Sequence, residues 1–225
     1  MFEKNNDFLS AEETARIRRT RVMIVGAGAL GQMAAHTLVR SGFTRLTVAD
    51  ADCFTAGNEN RQLYALPETQ GQKKVKVLQA ELKRISKEVD LRAVDLFVDE
   101  TNGQQLAAQA DILVDCVDDI RTKKYLEKLA GSLDLCLVHG AVEGWFGQVT
   151  TVYPGDGTLA FLYPEDRKQT ETALMATVNV VASLQAAEVI KLATGSGEIL
   201  RKKVLYVDMR GGDFSCVCLP EKTDR

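Results

Sequence analysis

Short apolar runs alternate with amphipathic stretches along most of the chain. Residues 21–25 form a β-branched run that stops at Gly26, and residues 30–40 carry apolar side chains at helical spacing before Gly42 closes the segment. Residues 45–50 (RLTVAD) then read as a second buried strand, completing a strand–helix–strand unit. After a loop over residues 51–72, Val75, Leu78, Leu82 and Ile85 fall on one helical face, and Lys76, Lys83 and Lys87 mark the other. Residues 91–96, 112–116 and 135–139 are further strand-like runs, the last two separated by a charged helix from about 122 to 130. Such alternation predicts a doubly wound α/β fold with a mainly parallel sheet.

Beyond Gly147 the pattern changes. Residues 148–153 read as a strand leading into a Pro-, Gly- and acid-rich loop over 154–172, the segment expected to be most mobile. A long amphipathic helix over 176–193 is stopped by Gly195, and residues 204–208 and 215–219 predict a terminal antiparallel pair around Gly211-Gly212. There is no internal repeat.

At 225 residues the chain suits one large domain. A formal charge of -3 lacks the basic excess of a phosphate-backbone binder, which argues against nucleic acid as a partner. Apolar runs such as 178–184 are short and interrupted, and residues 1–20 have no secretory apolar core, so no membrane partner is expected and a cytoplasmic location is. Cys53, Cys116, Cys136, Cys216 and Cys218 lack a disulfide framework and read as reduced thiols.

Gly26-Ala27-Gly28-Ala29-Leu30-Gly31 is a G-x-G-x-x-G turn between a strand and a helix, where glycines let backbone approach a phosphate and the helix N-terminus offers unpaired N–H groups. Asp50 stands at the end of the second strand, where an acid can bind ribose hydroxyls. Together these indicate an adenine nucleotide, and a nicotinamide dinucleotide is the default. A dehydrogenase needs an acid or base beside its hydride site, yet the only histidines are His36, inside the first core helix and expected to be structural, and His139, a cleft candidate at a strand end. What the sheet edge carries instead is charge and amide: Asp50, Asp52, Asn58, Arg61, Gln62, Lys74, Asp118 and Asp119. Phosphoryl and nucleotidyl transfer use that mixture, with cations offsetting polyphosphate charge and a carboxylate holding magnesium. Asp118 and Asp119 follow a buried strand, and Asp119 also suits a helix N-cap.

These segments resemble the ThiF/MoeB/HesA family of bacterial ubiquitin-activating-like enzymes. The resemblance rests on the glycine turn, Asp50-Ala51-Asp52, Asn58-Glu59-Asn60-Arg61-Gln62, Gly71-Gln72-Lys73-Lys74-Val75 and Asp115-Cys116-Val117-Asp118, in order and spacing over about residues 10–153, with the helix from Ser183 similar to the family's last one. It implies a Rossmann-like fold with a C-terminal antiparallel extension, divided into an N-terminal helical arm (1–20), a nucleotide-binding core (21–147) and a carrier-binding and dimerisation part (148–225). It further implies that ATP and Mg2+ are used to adenylate a small β-grasp sulfur-carrier protein ending in Gly-Gly, and that the enzyme is a homodimer. Gly28 and Asp50 would hold the adenosine; Asn58, Arg61 and Lys74 would grip the triphosphate; Asp118 would bind magnesium.

Three departures bear on this expectation. Residues 161–164 have no cysteine and the tail has only Cys216-Val217-Cys218, so no structural zinc is expected. Residues 155–178 lack the cysteine that thioester- or persulfide-forming relatives carry, so chemistry should stop at the acyl adenylate. The arginine that in relatives reaches across the dimer is replaced, if at all, by Arg16, Arg18 or Arg19. Trp145 and Phe146 are expected mainly to pack, with a bordering role at the tail channel as the second reading. The rival functions are an NAD(P)-dependent oxidoreductase using the same turn, and a non-catalytic nucleotide-binding scaffold; tight NAD binding without an ATP response would favour the first.

Overall fold

The computed structural model describes residues 8–164 and 172–220. Helix α1 (Ala11–Arg19) leads into strand β1 (Arg21–Val25), helix α2 (Ala29–Arg40) and strand β2 (Arg45–Ala49). Two 3-10 turns (Ala56–Asn58 and Pro67–Thr69) punctuate the next loop before α3 (Lys74–Ile85), β3 (Asp90–Val94), α4 (Gly103–Ala107), β4 (Ile112–Asp115) and α5 (Ile120–Ser132). The remainder is β5 (Cys136–Glu143), β6 (Phe146–Val152), α6 (Thr158–Leu162), α7 (Met175–Thr194), β7 (Lys203–Asp208) and β8 (Asp213–Cys218).

One eight-stranded sheet runs in the order β3-β2-β1-β4-β5-β6-β7-β8. The strands from β3 to β5 are parallel, whereas β6, β7 and β8 are added antiparallel. The central strands β1 and β4 are buried on both faces, which is why their sequences are continuous apolar runs, whereas the edge strand β3 alternates buried and exposed positions. Val22 and Ile24 of β1 face a core with α2, α3 and α7, while Met23 and Val25 face a second core with α4, α5 and the α6 segment. The result is a three-layer doubly wound fold.

Several boundaries differ from expectation for local reasons. Strand β5 runs on to Glu143 because a hairpin at Gly144-Trp145 pairs it with β6 along its length. Helix α5 starts at Ile120 because Asp119 caps it. Helix α4 is not visible as a periodic segment, being only five residues long. The expected mobile loop over 154–172 contains α6 and the buried Tyr163, and its residues 165–171 lie outside the described residues.

By length and composition α7 would suffice to cross a membrane. It is instead packed between α2 and the sheet, with Val178, Val181, Ala182, Ala186 and Val189 in the core. Its buried Glu188 accepts from the Thr151 hydroxyl (2.5 Å) and the Leu200 N–H (2.9 Å), polar pinning suited to a core helix.

Candidate functional site

The order of the strands reverses between β1 and β4, where the first crossover goes one way and the next the other, and doubly wound sheets bind ligands at that point. A cavity of about 650 Å3 opens there. Two glycines make it possible. Gly26 has φ +96, and a Cβ on it would sit 2.6 Å from the Cys116 carbonyl oxygen; a Cβ on Gly31 would sit 1.9 Å from the Gly26 carbonyl oxygen. Gly31 therefore allows α2 to pack onto the turn and is not part of the cavity wall, whereas Gly26 and Gly28 are.

Asp50 pins this turn from below. Its Oδ2 accepts from the Ala27 N–H (2.6 Å) and its Oδ1 from the Asp52 N–H (2.7 Å), so the carboxylate fixes the glycine turn as well as lining the cavity. Gln32, absent from the sequence-derived set, clips the other side: its Nε2 donates to the Ala27 carbonyl (2.7 Å) and to Gln62 Oε1 (3.3 Å), and its Oε1 accepts from the Tyr64 N–H (2.9 Å). A fully buried glutamine thus ties the turn to the 61–64 loop.

Asp52, Arg61, Gln62, Lys74, Asp118 and Asp119 all line the same cavity. The buried Lys74 donates to Asp52 Oδ2 at 2.8 Å, while Arg61 donates to the Gly57 carbonyl (2.8 Å) and to Asn60 Oδ1 (2.9 Å). Two residues proposed from sequence hold the frame, Asn58 from outside the cavity wall and Asp119 from within it. Asn58 is outside the wall; its Oδ1 accepts from the Thr55 N–H (3.0 Å) and shapes the turn that carries Arg61. Asp119 caps α5, accepting from the Thr122 N–H (2.7 Å) and hydroxyl (2.8 Å), which holds its carboxyl below the usual carboxylate range although burial opposes this. Asp118, the magnesium candidate proposed from sequence, is exposed on the cavity wall beyond β4. Among the described residues no cluster of three or more His, Cys, Asp and Glu could hold a metal ion; Mg2+ characteristically binds through one or two carboxylates plus substrate phosphates.

Beneath the cavity lies a buried polar network that sequence reasoning left unassembled. Asp115, at the end of β4, accepts from Lys123 Nζ (3.3 Å to Oδ2) and from His139 Nδ1 (2.6 Å to Oδ2). Burial works to raise the Asp115 carboxyl, yet the Lys123 charge and the His139 bond outweigh it and hold it below the ordinary range. Lys123 also donates to the Val117 and Gly140 carbonyls. His139 is fully buried below the cavity wall, so the cleft position considered for it is not where it lies. Its Nε2 meets the Tyr163 hydroxyl (2.9 Å) and Gln148 Nε2 (3.3 Å), and both of those residues do line the cavity. His36, as expected, is structural: its Nδ1 bonds Tyr64 Oη at 2.8 Å.

The far wall comes from the antiparallel extension. Phe146 and Trp145 are 54% and 46% exposed, so packing is not their role; Phe146 lines the cavity with Tyr206. Of the N-terminal arginines, Arg16 donates to the Thr194 carbonyl at the end of α7 (2.9 Å) and pairs with Glu12, and Arg18 pairs with Glu88. Burial pushes the Cys116 and Cys136 thiols up, away from thiolate character, while Cys216 and Cys218 sit on the exposed strand β8.

The ThiF family model matches residues 3–225. The SAMP-activating enzyme E1 of Haloferax volcanii is 30% identical over 218 residues, which cover 94% of this chain and 81% of that protein. The molybdopterin-synthase adenylyltransferase of Escherichia coli is 31% identical over 199 residues (85% and 80%), and the sulfur carrier protein ThiS adenylyltransferase of the same organism 26% over 196 (84% and 78%). In fold, the chain resembles Escherichia coli MccB crystallised with MccA-N7isoASN, with TM-score 0.81 and 18% identity, covering 93% of this chain and 67% of that one.

Proposed function

Because the chain belongs to the ThiF family, we propose that it adenylates the C-terminal Gly-Gly carboxylate of a small β-grasp sulfur-carrier protein, consuming ATP and releasing pyrophosphate. That it is an adenylyltransferase acting on a sulfur carrier follows from its relatives; the finer reading is carried by Arg61, Lys74 and Asp118, from three separate stretches, lining one cavity against the glycine turn.

A C-terminal carboxylate has a pKa of about 3.5, so at neutral pH it needs no general base. One carboxylate oxygen attacks the α-phosphorus, the bond from that phosphorus to the bridging oxygen breaks, and pyrophosphate leaves with the electron pair. No proton moves. The barrier is electrostatic, an anion approaching a polyanion, and Arg61 and Lys74 lower it by standing preorganised where the charge develops. Asp118 would hold Mg2+, which supplies further neutralisation of the phosphates. Gly26 and Gly28 give the nucleotide a close approach to backbone, and Asp50 fixes the turn while facing the ribose. Phe146 and Tyr206 would border the channel for the tail, with residues 148–225 serving carrier binding and dimerisation. The absence of a cysteine from 155–178 supports a reaction that ends at the acyl adenylate, and the five thiols suit a cytoplasmic location.

The test is ATP–pyrophosphate exchange. A β-grasp carrier ending in Gly-Gly should stimulate it, and the same carrier without those two residues should not; exchange that ignores the carrier's tail contradicts the proposal.

A further inference from the structure

The glutamine clip across the glycine turn decides which atoms the cavity offers beside Gly28. Gln32 is fully buried, and its amide can stand only one way round. Its Nε2 lies 2.7 Å from the Ala27 carbonyl, which can only accept, and its Oε1 lies 2.9 Å from the Tyr64 N–H, which can only donate. The second Nε2 hydrogen is turned to Gln62 at 3.3 Å, so the atom that Gln62 presents to it must be Oε1. A Gln62 amide turned over would set NH2 against NH2. Gln62 Nε2 is thereby directed away from the clip, and among the described residues no group accepts from it.

That nitrogen borders open space. Gln62 is 7% exposed and lines the cavity with Gly28, and a Cβ built on Gly28 would meet Gln62 Nε2, 3.9 Å off, as its one neighbour within 4 Å. Gly28 is also the N-cap of α2, where no side chain takes up the first helical N–H groups, so the helix end adds donors at the same place. The carboxylates tied to this turn already accept: Asp50 from the Ala27 and Asp52 N–H groups, and Asp52 from Lys74. Donors gathered beside Gly28 suit a ligand atom that only accepts, which a phosphate oxygen is. Resting on the reading that ATP is bound here, we propose that Gln62 Nε2 donates to a phosphate oxygen of ATP, and that the buried Gln32 is the positioning residue which holds the Gln62 amide that way round. Arg61 and Lys74 supply charge to the phosphates. Gln62 is neutral and supplies direction, fixing where the phosphate sits against the glycine turn.

Titration calorimetry on the full-length protein, with Mg-ATP and with adenosine, tests this. Gln62→Met keeps the side-chain length and removes both N–H donors. It should weaken Mg-ATP binding roughly tenfold, the scale of a hydrogen bond to a charged group, while adenosine binding stays within about twofold. Gln32→Glu separates positioning from structure. Buried beside the Ala27 carbonyl, the new carboxyl is driven to its protonated form, donates to that carbonyl and still accepts from the Tyr64 N–H, yet has no hydrogen left for Gln62. It should weaken Mg-ATP binding several-fold in the wild-type background and no further in Gln62→Met. In nitrogen-15 NMR the Gln62 side-chain NH2 resonances should shift on adding Mg-ATP and stay in place on adding adenosine. If Gln62→Met binds Mg-ATP as the wild type does, or loses adenosine by the same factor, Gln62 does not hold a phosphate, although the adenylation reading stands. If Gln32→Glu weakens Mg-ATP binding equally in both backgrounds, Gln32 only supports the turn and its positioning role is wrong. A wild-type protein that does not bind Mg-ATP overturns both readings. The Gln62→Met titrations and the NMR remain decisive if Gln32→Glu does not fold.

Discussion

Replacing Lys123 with methionine tests the buried network through stability alone. Lys123 and Asp115 are 3% and 0% exposed, so neither ion recovers hydration when the other is removed. In Lys123→Met the Asp115 carboxylate keeps the His139 bond and the Val117 N–H (3.1 Å) but loses its counter-charge. Leaving one member of a buried pair uncompensated costs about 3–5 kcal/mol. For a domain of this size that corresponds to a fall in Tm of roughly 6–20 °C. The pH dependence has a definite sign. In the wild type the Asp115 carboxyl is held below its unfolded value, so its stabilisation is complete above that value and is lost as pH falls through the folded one. Without Lys123, burial dominates and raises the folded value above the unfolded one, so the variant's deficit is largest near neutrality and shrinks as acid protonates the carboxyl. Urea unfolding of both proteins from neutral to mildly acidic pH measures this. A deficit under about 1 kcal/mol at neutral pH, or one that grows toward acid, would refute the reasoning.

Other substitutions separate neighbouring roles. Asp118→Ala should lower carrier-dependent exchange about a hundredfold, whereas Asp119→Ala should cost roughly 1 kcal/mol of stability through its lost cap and leave exchange within a few-fold. Gly31→Ala pushes a methyl against the Gly26 carbonyl, at a starting distance of 1.9 Å, and should cost about 1–3 kcal/mol and weaken Mg-ATP binding by displacing the turn, both read from thermal shifts with and without nucleotide.

Periodicity and glycine placement carried the fold. The strand–turn–helix at Val25 to Leu30 and the β2 carboxylate at Asp50 declare themselves because a tight crossover admits few residue types. Side chains whose role is set by distant partners were harder to see. Lys123 reads as a surface lysine in a charged helix, although its spacing from Ile120 and Leu126 puts it on the apolar face, a signal that would have exposed it. Gln32 and Gln148 carry no charge and sit among apolar neighbours, so only the assembled structure reveals the contacts they make. Asp119 was legible as a cap because it stands directly before the α5 pattern, and the structure places it there.

The most direct test of the central claim is to mix the protein with Mg-ATP and a β-grasp carrier ending in Gly-Gly, quench in acid and weigh the carrier by intact-mass spectrometry. The account predicts a carrier heavier by one adenylyl group, in an amount that falls when Lys74 or Asp118 is replaced by alanine. A carrier of unchanged mass, with ATP bound but not consumed, would contradict it.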